Sequence, residues 1–200
     1  MNNLKIDGIV EVSGGTFDEV DMDGKPSIDG DLECNSMDLD GIIMFNGNVR
    51  VNGKADIDGV CKISDNFDTE ELDFEGILTI SKNMTVKNAR IEGNFIVYGI
   101  LNVGTLNLKF QNYSFVKECI GGKIKITRRM GITTYIWAGG KGFHSDLVEG
   151  HDIDLEWSDV KVVRGDFVKI GTECNVDRVE YRKELTVHPK AKVKETVKLT

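Results

Sequence analysis

The chain has 200 residues, 40% of them hydrophobic, and a formal net charge of −8 at pH 7. It contains no apolar run of about 18 residues, which excludes a conventional transmembrane helix, and its start, Met-Asn-Asn-Leu-Lys, lacks the apolar core of a signal peptide. Its four cysteines show neither a Cys-x-x-Cys pair nor the density of a disulfide framework, so we expect a reducing, cytosolic location.

The first 108 residues carry a repeat of about 17 residues, visible as three ladders of apolar residues. The ladders are Ile6, Met22, Leu39, Ile57, Phe74, Ile91 and Leu108; Val12, Ile28, Phe45, Ile63, Ile80 and Val97; and Phe17, Cys34, Val51, Val86 and Val103. Thr69 lies where the third ladder calls for an apolar residue. A fixed period of this length is typical of a solenoid, in which each repeat buries its apolar face against the next.

The period also predicts the shape of one coil. About 17 residues of extended chain at roughly 3.3 Å each give a perimeter of about 55 Å, which three sides of about six residues divide evenly. No window holds the apolar spacing of an amphipathic helix, and Gly recurs two residues after ladder positions, where a corner needs φ > 0 or close backbone approach. The sequence therefore predicts an all-β, triangular, single-stranded parallel β-helix.

The chain divides into three segments. Residues 1–108 form the regular, acidic coils, and the repeat loosens over residues 109–150. We interpret residues 127–147 as a non-repetitive excursion from the rod, with Thr133 to Trp137 as one β-rich arm. Alternating apolar pairs such as Val168/Ile170 return after residue 151, so residues 151–200 are predicted to continue the same solenoid as basic coils.

Charge is unevenly distributed along the predicted rod. Residues 1–80 hold 19 acidic against 5 basic residues, whereas residues 81–200 hold 14 acidic against 20 basic. Such a rod can steer its own opposite ends together, an effect that salt weakens. The alternative is that the asymmetry only keeps a repetitive β protein soluble.

Two acidic series follow the same period. Asp21, Asp38, Asp56 and Asp73 form one series, and Asp23, Asp40, Asp58 and Glu75 form the other. Stacked coils would place them in two columns with about 4.8 Å between steps. Calcium could bridge such carboxylates, but the sequence lacks a complete calcium loop, and we favour a solvated acidic corner without metal.

No catalytic constellation stands out. His144, His151 and His188 have no spacing that forms a metal triad or pairs a base with a nucleophile, and no nucleotide-binding loop occurs. Lys190, Lys192, Lys194 and Lys198 alternate with apolar residues as on the exposed face of a strand. We therefore expect no enzyme activity, no cofactor and no nucleic-acid partner.

The ends of a solenoid lack a stacking partner, and this predicts self-assembly. The hypothetical self-assembly residues are Ile6 and Val12 in the first coil, and Leu185, Val187, Val193, Val197 and Leu199 in the last. Burying each such side chain contributes about 1.5–3 kcal/mol, so a few can drive association.

Several stretches resemble the bactofilins, and more closely the longer bactofilin-like, polymer-forming cytoskeletal proteins of Gram-positive bacteria. They are the apolar-x-Gly repeats, Ile120-Gly121-Gly122-Lys123-Ile124, the stretch from Val163-Arg164-Gly165-Asp166 to Gly171-Thr172-Glu173-Cys174, and Val179-Glu180-Tyr181. The resemblance implies a right-handed β-helix that polymerises end to end without nucleotide and serves as a scaffold for cell shape, envelope or motility factors.

The same resemblance implies partners and a location. The partners are further copies of the chain, a paralogous bactofilin, and envelope or motility proteins. The location is cytoplasmic, with peripheral association at the inner face of the cell membrane left open.

An enzyme is the alternative. The hexad Ile170-Gly171-Thr172-Glu173-Cys174-Asn175 is similar to those of hexapeptide-repeat acyltransferases on a left-handed β-helix, where His144 or His151 would act as general base. That family stacks three hexads in each coil and places Gly directly after the aliphatic residue, whereas Gly here lies two residues after it and the period is shorter. Acyltransferases of this type form closed trimers, whereas a stacking scaffold forms open polymers.

Overall fold

A computed structural model describes residues 2–129 and 142–200. These residues form strands and turns without a helix. The strands are β1 (Leu4–Gly8), β2 (Glu11–Thr16), β3 (Glu19–Gly24), β4 (Ser27–Cys34), β5 (Ser36–Asn46), β6 (Val49–Ile63), β7 (Phe67–Ile80), β8 (Met84–Phe110), β9 (Tyr113–Arg128), β10 (Gly142–Leu155), β11 (Ser158–Ile170), β12 (Asn175–Val187) and β13 (Lys192–Lys198).

The described strands pair in parallel, each with the strand one coil further along the chain. Ile57 lies beside Phe74, and Phe74 beside Ile91, so each of these steps equals one period of the repeat. One sheet therefore winds through the whole described chain as a β-solenoid of about 11 coils with roughly 17 residues each. The predicted all-β solenoid and its period are confirmed.

The three predicted ladders form the core. Ile6, Met22 and Leu39 stack in register, as do Ile28, Phe45 and Ile63. The ladder residues between the first coil and the last are almost all buried, and they belong to one continuous apolar cluster. Each coil thus buries its inward side chains between the coil before it and the coil after it, as a repeat architecture requires.

Thr69 shows how a polar residue fits into an apolar ladder. It is buried between Val51 and Val86, and its hydroxyl lies 3.0 Å from the Gly53 carbonyl oxygen and 3.1 Å from that of Glu71. Because a buried hydroxyl is costly only when it has no hydrogen-bond partner, this position tolerates Thr without interrupting the core.

Glycine is required at the corner between two sides of each coil. Gly76 has a φ of 133°, and a Cβ atom there would lie 1.9 Å from the Gly59 carbonyl oxygen. Any other residue would therefore be strained and would also push the stacked coils apart. This is the role that the sequence predicts for the glycine series.

The segment between the two regular regions keeps the solenoid register over its described parts. Tyr113 of β9 pairs with Gly142 of β10, so this step along the chain is longer than the roughly 17 residues of a regular coil. Residues 127–128 and 142–147, the flanks of the predicted excursion, lie in β9 and β10. Residues 130–141, including the predicted β-rich arm from Thr133 to Trp137, lie outside the described residues.

Candidate assembly surfaces at the two terminal coils

The first coil, residues 3–18, forms one end of the described solenoid. Its strands β1 and β2 pair with β3 and β4, and no described strand lies on their other edge. Ile6 is 8% exposed and Val12 is half-buried, whereas Met22 and Ile28, one coil inward, are fully covered. The structure thus places both predicted assembly residues at an open end.

The last coil, residues 184–199, forms the other end. Leu185, Val193, Val197 and Leu199 are half-buried, and Val187 is 40% exposed. By contrast, Ile170, which lies directly below Val187, is completely buried. Strand β13 pairs with β12, and its outer edge carries no described strand. The last coil is therefore an apolar, hydrogen-bond-competent surface with one face uncovered.

The two terminal coils carry opposite charge. The first coil holds Asp7, Glu11 and Asp18 against Lys5, and the last holds Lys190, Lys192, Lys194 and Lys198 against Glu184 and Glu195. Among the described residues, Glu11 and Lys192 each lack an ion-pair partner of their own. The terminal surfaces are thus electrostatically complementary to each other.

One apolar feature of the first coil escaped the sequence analysis. Ile9 is 85% exposed and Val10 is also exposed, both at the corner that follows Gly8. The ladder pattern did not predict them because it identifies inward positions, and these two side chains point outward. Their exposure adds to the apolar surface of the first coil.

The two acidic series form stacked columns along one side of the rod, as predicted. Asp21, Asp38 and Asp56 are in register, and so are Asp40, Asp58 and Glu75. Desolvation, followed by the nearby charges of Asp56 and Glu75, raises the pKa of Asp58 above its ordinary value. Within residues 2–129 and 142–200, no group of three or more potential ligands is arranged to hold a metal ion.

Basic side chains relieve part of this repulsion. Lys54 Nζ lies 2.5 Å from Asp56 Oδ2, and Lys5 Nζ lies 2.5 Å from Asp21 Oδ2. An arginine, Arg90, lies 3.6 Å from Asp73 at the far end of the column. The acidic side is therefore a largely solvated surface with scattered counter-charges.

The second half of the chain shows a different pattern, which the sequence analysis missed. Arg164 bridges two coils, with Nη1 2.8 Å from Glu149 Oε2 and Nε 2.6 Å from Glu180 Oε2. Arg178 also contacts Glu180, at 2.7 Å. Hydrogen bonds from Arg164 and Arg178 lower the pKa of Glu180, whose side chain is nearly buried. The signal in the sequence is a change of charge sign at each coil.

A second missed feature is a ladder of asparagines at a corner. Asn48 Nδ2 lies 3.0 Å from Asp31 Oδ1, Asn66 Nδ2 lies 2.9 Å from Asn48 Oδ1, and Asn83 Oδ1 accepts a hydrogen bond from the Ile100 amide. These side chains line an open groove of about 680 Å³. Because their polar atoms are largely used between coils, the ladder stabilises a corner of the solenoid.

The three histidines have different surroundings. The ring of His144 lies 5.3 Å from that of Tyr113, and His151 Nδ1 lies 3.0 Å from Asp166 Oδ2. His188 Nδ1 accepts a hydrogen bond from the Lys190 amide beyond the end of β12. No contact joins any two of them among the described residues.

The cysteines are unsuited to nucleophilic chemistry. All four are buried, and burial raises the pKa of the Cys34, Cys61 and Cys119 thiols to about 12 and that of Cys174 to about 11. Since the thiolate is the nucleophile, these side chains act as small hydrophobic residues.

Over the described ranges, the structure contains no helix long and apolar enough to cross a bilayer.

Comparison with known proteins gives distant similarity only. No protein-family model matches the chain, and no solved structure matches it. The chain is 30% identical to uncharacterized protein YhbE of Bacillus subtilis (strain 168) over 105 residues, 52% of this chain and 44% of YhbE. It is 33% identical to uncharacterized protein YhbF of the same organism over 103 residues, 50% of this chain and 42% of YhbF. The chain thus spans less than half the length of these two relatives.

Proposed function

We propose that this chain is a non-enzymatic scaffold subunit of the bactofilin type that assembles end to end into filaments without nucleotide. The observation that carries the proposal is the loss of burial at the last coil: Val187 is 40% exposed, whereas Ile170 in the same ladder is completely buried. Stacking on a second copy restores the missing neighbour, and a β-solenoid supplies the uniform cross-section that a filament needs.

The energetics favour this assembly. Each end offers a row of unpaired backbone groups and two to five ladder side chains, and covering one such side chain contributes about 1.5–3 kcal/mol before the entropy cost of association. Backbone hydrogen bonds add direction, because an uncovered strand edge is a template for another strand.

The proposal includes a biological setting. The filament winds as right-handed β-helices in the cytoplasm and organises cell-shape, envelope or motility factors. Its partners are further copies of this chain, a paralogous bactofilin and the organised proteins, with no nucleic acid. Peripheral contact with the inner face of the membrane is a separate question, answered by sedimentation of the protein with anionic vesicles.

The decisive test is negative-stain electron microscopy of the purified chain over series of protein and salt concentration, without nucleotide or metal. Wild type should form narrow filaments that lengthen with concentration. Val187→Arg should remain a folded monomer, because a charged side chain then occupies the apolar ladder at the interface. Ile77→Arg is the matched control: Ile77 is 42% exposed on the flank of the rod, so this variant should still form filaments.

Two outcomes would overturn the proposal. Filaments that persist in Val187→Arg would show that the last coil is not the contact surface. Discrete trimers of wild type at all concentrations would favour the acyltransferase alternative, whose assemblies are closed.

A further inference from the structure

We infer that the last coil of one copy stacks on the first coil of the next copy in a single parallel register, which makes the filament polar. In this register Leu185 lies over Leu4, Val187 over Ile6 and Val193 over Val12, and the offset in sequence is the same for all three pairs. The inference rests on the proposed end-to-end assembly and specifies its partner surface.

The register follows from tracing each ladder from one end to the other. The ladder that begins at Ile6 ends at Val187, and the ladder that begins at Val12 ends at Val193. On the third side, the outward column that begins at Thr16 ends at Val197. All three sides therefore continue onto the next copy with the same offset.

The side lengths of the two terminal coils also match. Ile6, Val12 and Thr16 are separated by six and four residues, and Val187, Val193 and Val197 by the same six and four. The coil that starts at Leu39 differs, because Phe45 and the corresponding position Arg50 are five residues apart. The last coil thus fits the first coil without the bulges that occur elsewhere in the sheet, for example between Gly165 and Phe167 of β11.

The polar residues agree with the same register. Lys192 lies over Glu11, and neither has an ion-pair partner within the described chain. Glu184 lies over Asn3, which within one chain already donates a hydrogen bond to Glu19, its acidic neighbour one coil further on. The contact therefore repeats the alternation of charge that joins neighbouring coils in the second half of the chain, as at Lys194 and Asp177.

Contacts between like ends are disfavoured by charge. Two first coils would bring Asp7, Glu11 and Asp18 against their own copies, and two last coils would bring four lysines together. Juxtaposed like charges oppose association and suppress the wrong pairing. A head-to-tail contact is also heterologous, so it generates an open filament rather than a closed dimer.

Disulfide trapping tests polarity and register together. The variants Glu11→Cys and Lys192→Cys are made as separate proteins with tags of different mass, and mild oxidant is added after mixing. In the inferred register the two positions lie about 5 Å apart between Cα atoms, within the range for a disulfide. Wild type is the background control, since its four cysteines are buried with raised thiol pKa values.

The expected result is a covalent heterodimer in the mixture and only background dimer in each variant alone. Lys198→Cys is the matched control: Lys198 lies in the same coil on another side, so its mixture with Glu11→Cys should stay at background. Dimers of Glu11→Cys alone or Lys192→Cys alone would overturn the polarity. Assembly without a heterodimer would overturn the register.

Light scattering of wild type in the same buffer separates the two levels of the argument. Absence of any assembly would overturn the scaffold proposal itself, together with the register. Assembly accompanied by dimers of one single variant would leave the scaffold proposal standing and reject only the head-to-tail contact.

Discussion

The two halves of the solenoid pack in the same way but stack their charges differently. In the first half, like charges face each other from coil to coil, as in the column of Asp21, Asp38 and Asp56. In the second half, signs alternate: Lys161 lies 2.7 Å from Asp146, and Lys194 lies 2.6 Å from Asp177. Both halves nevertheless keep parallel register and a buried core.

This difference shows which interactions hold the coils together. Repulsion in an exposed column is screened by water and salt, whereas each coil buries several large apolar side chains and pairs its backbone groups. The core and the backbone ladders are therefore sufficient for stacking. Charge adjusts the stability of each half and decides which ends of two copies fit each other.

Truncating the core should give the largest effect, and a similar one in both halves. Phe74 and Ile170 are almost completely buried ladder residues in the acidic and basic halves. Phe74→Ala should cost about 3–5 kcal/mol and Ile170→Ala about 2–5 kcal/mol, because each leaves a cavity that stacked coils cannot close. Denaturant titration followed by circular dichroism measures both.

The control is Ile77→Ala, an apolar truncation on the exposed flank, which should change the unfolding free energy by less than about 0.5 kcal/mol. A large loss at Phe74 with almost none at Ile170 would show that the basic half depends on its ion pairs instead. That result would contradict the shared role of the core.

Breaking an alternating ion pair should give an intermediate effect, confined to the second half. Arg164→Met removes the bridge between Glu149 and Glu180 and leaves the nearly buried Glu180 with Arg178 alone. We expect a loss of about 1–2 kcal/mol, since an under-satisfied buried charge costs more than an exposed pair contributes. Hydrogen exchange should locate the loss in β11 and β12.

Arg178→Met is the matched control, because Glu180 then keeps Arg164 and the more exposed arginine is removed. It should cost less than Arg164→Met. An equal or larger cost would mean that Glu180 depends mainly on the contact within its own coil, and that the coil-to-coil bridge has little weight.

The sequence predicts the interior of this fold well and its lateral contacts poorly. A ladder position must be apolar in every coil, so Ile57 and Phe74 reveal the period directly, and Gly76 reveals the corner. Thr69 was found as an exception, but its two hydrogen bonds to carbonyl groups depend on backbone positions that a pattern does not provide.

Lateral contacts depend on how coils align, and this alignment changes at the longer step between β9 and β10. Lys123 lies 3.9 Å from Asp152 across that step, a pairing that the regular period does not predict. The matching side lengths of the first and last coils likewise became visible only when each ladder was traced through the structure. The candidate residues at the ends were therefore predictable, whereas their register was not.

The smallest effect should come from pH, with opposite signs at two carboxyl groups. The pKa of Asp58 is raised above 3.8 by desolvation and its acidic neighbours, so the folded state binds a proton more readily than the unfolded state. Its repulsion is present at neutral pH and is relieved as pH falls through the raised folded pKa towards 3.8. The pKa of Glu180 is lowered below 4.5, so its stabilisation is present above pH 4.5 and is lost as pH falls through the lower folded value.

Hydrogen exchange between pH 6 and pH 4, corrected for the intrinsic rate, separates the two groups. Protection around Asp58 should rise slightly as pH falls, and protection around Glu180 should decrease. Asp58→Asn removes the charge at every pH, so it should raise local protection at neutral pH and abolish the local pH dependence, whereas raised salt should reduce its advantage. Unchanged protection in Asp58→Asn would mean that solvent already screens the acidic columns completely. The charge difference between the halves would then act only where two copies meet.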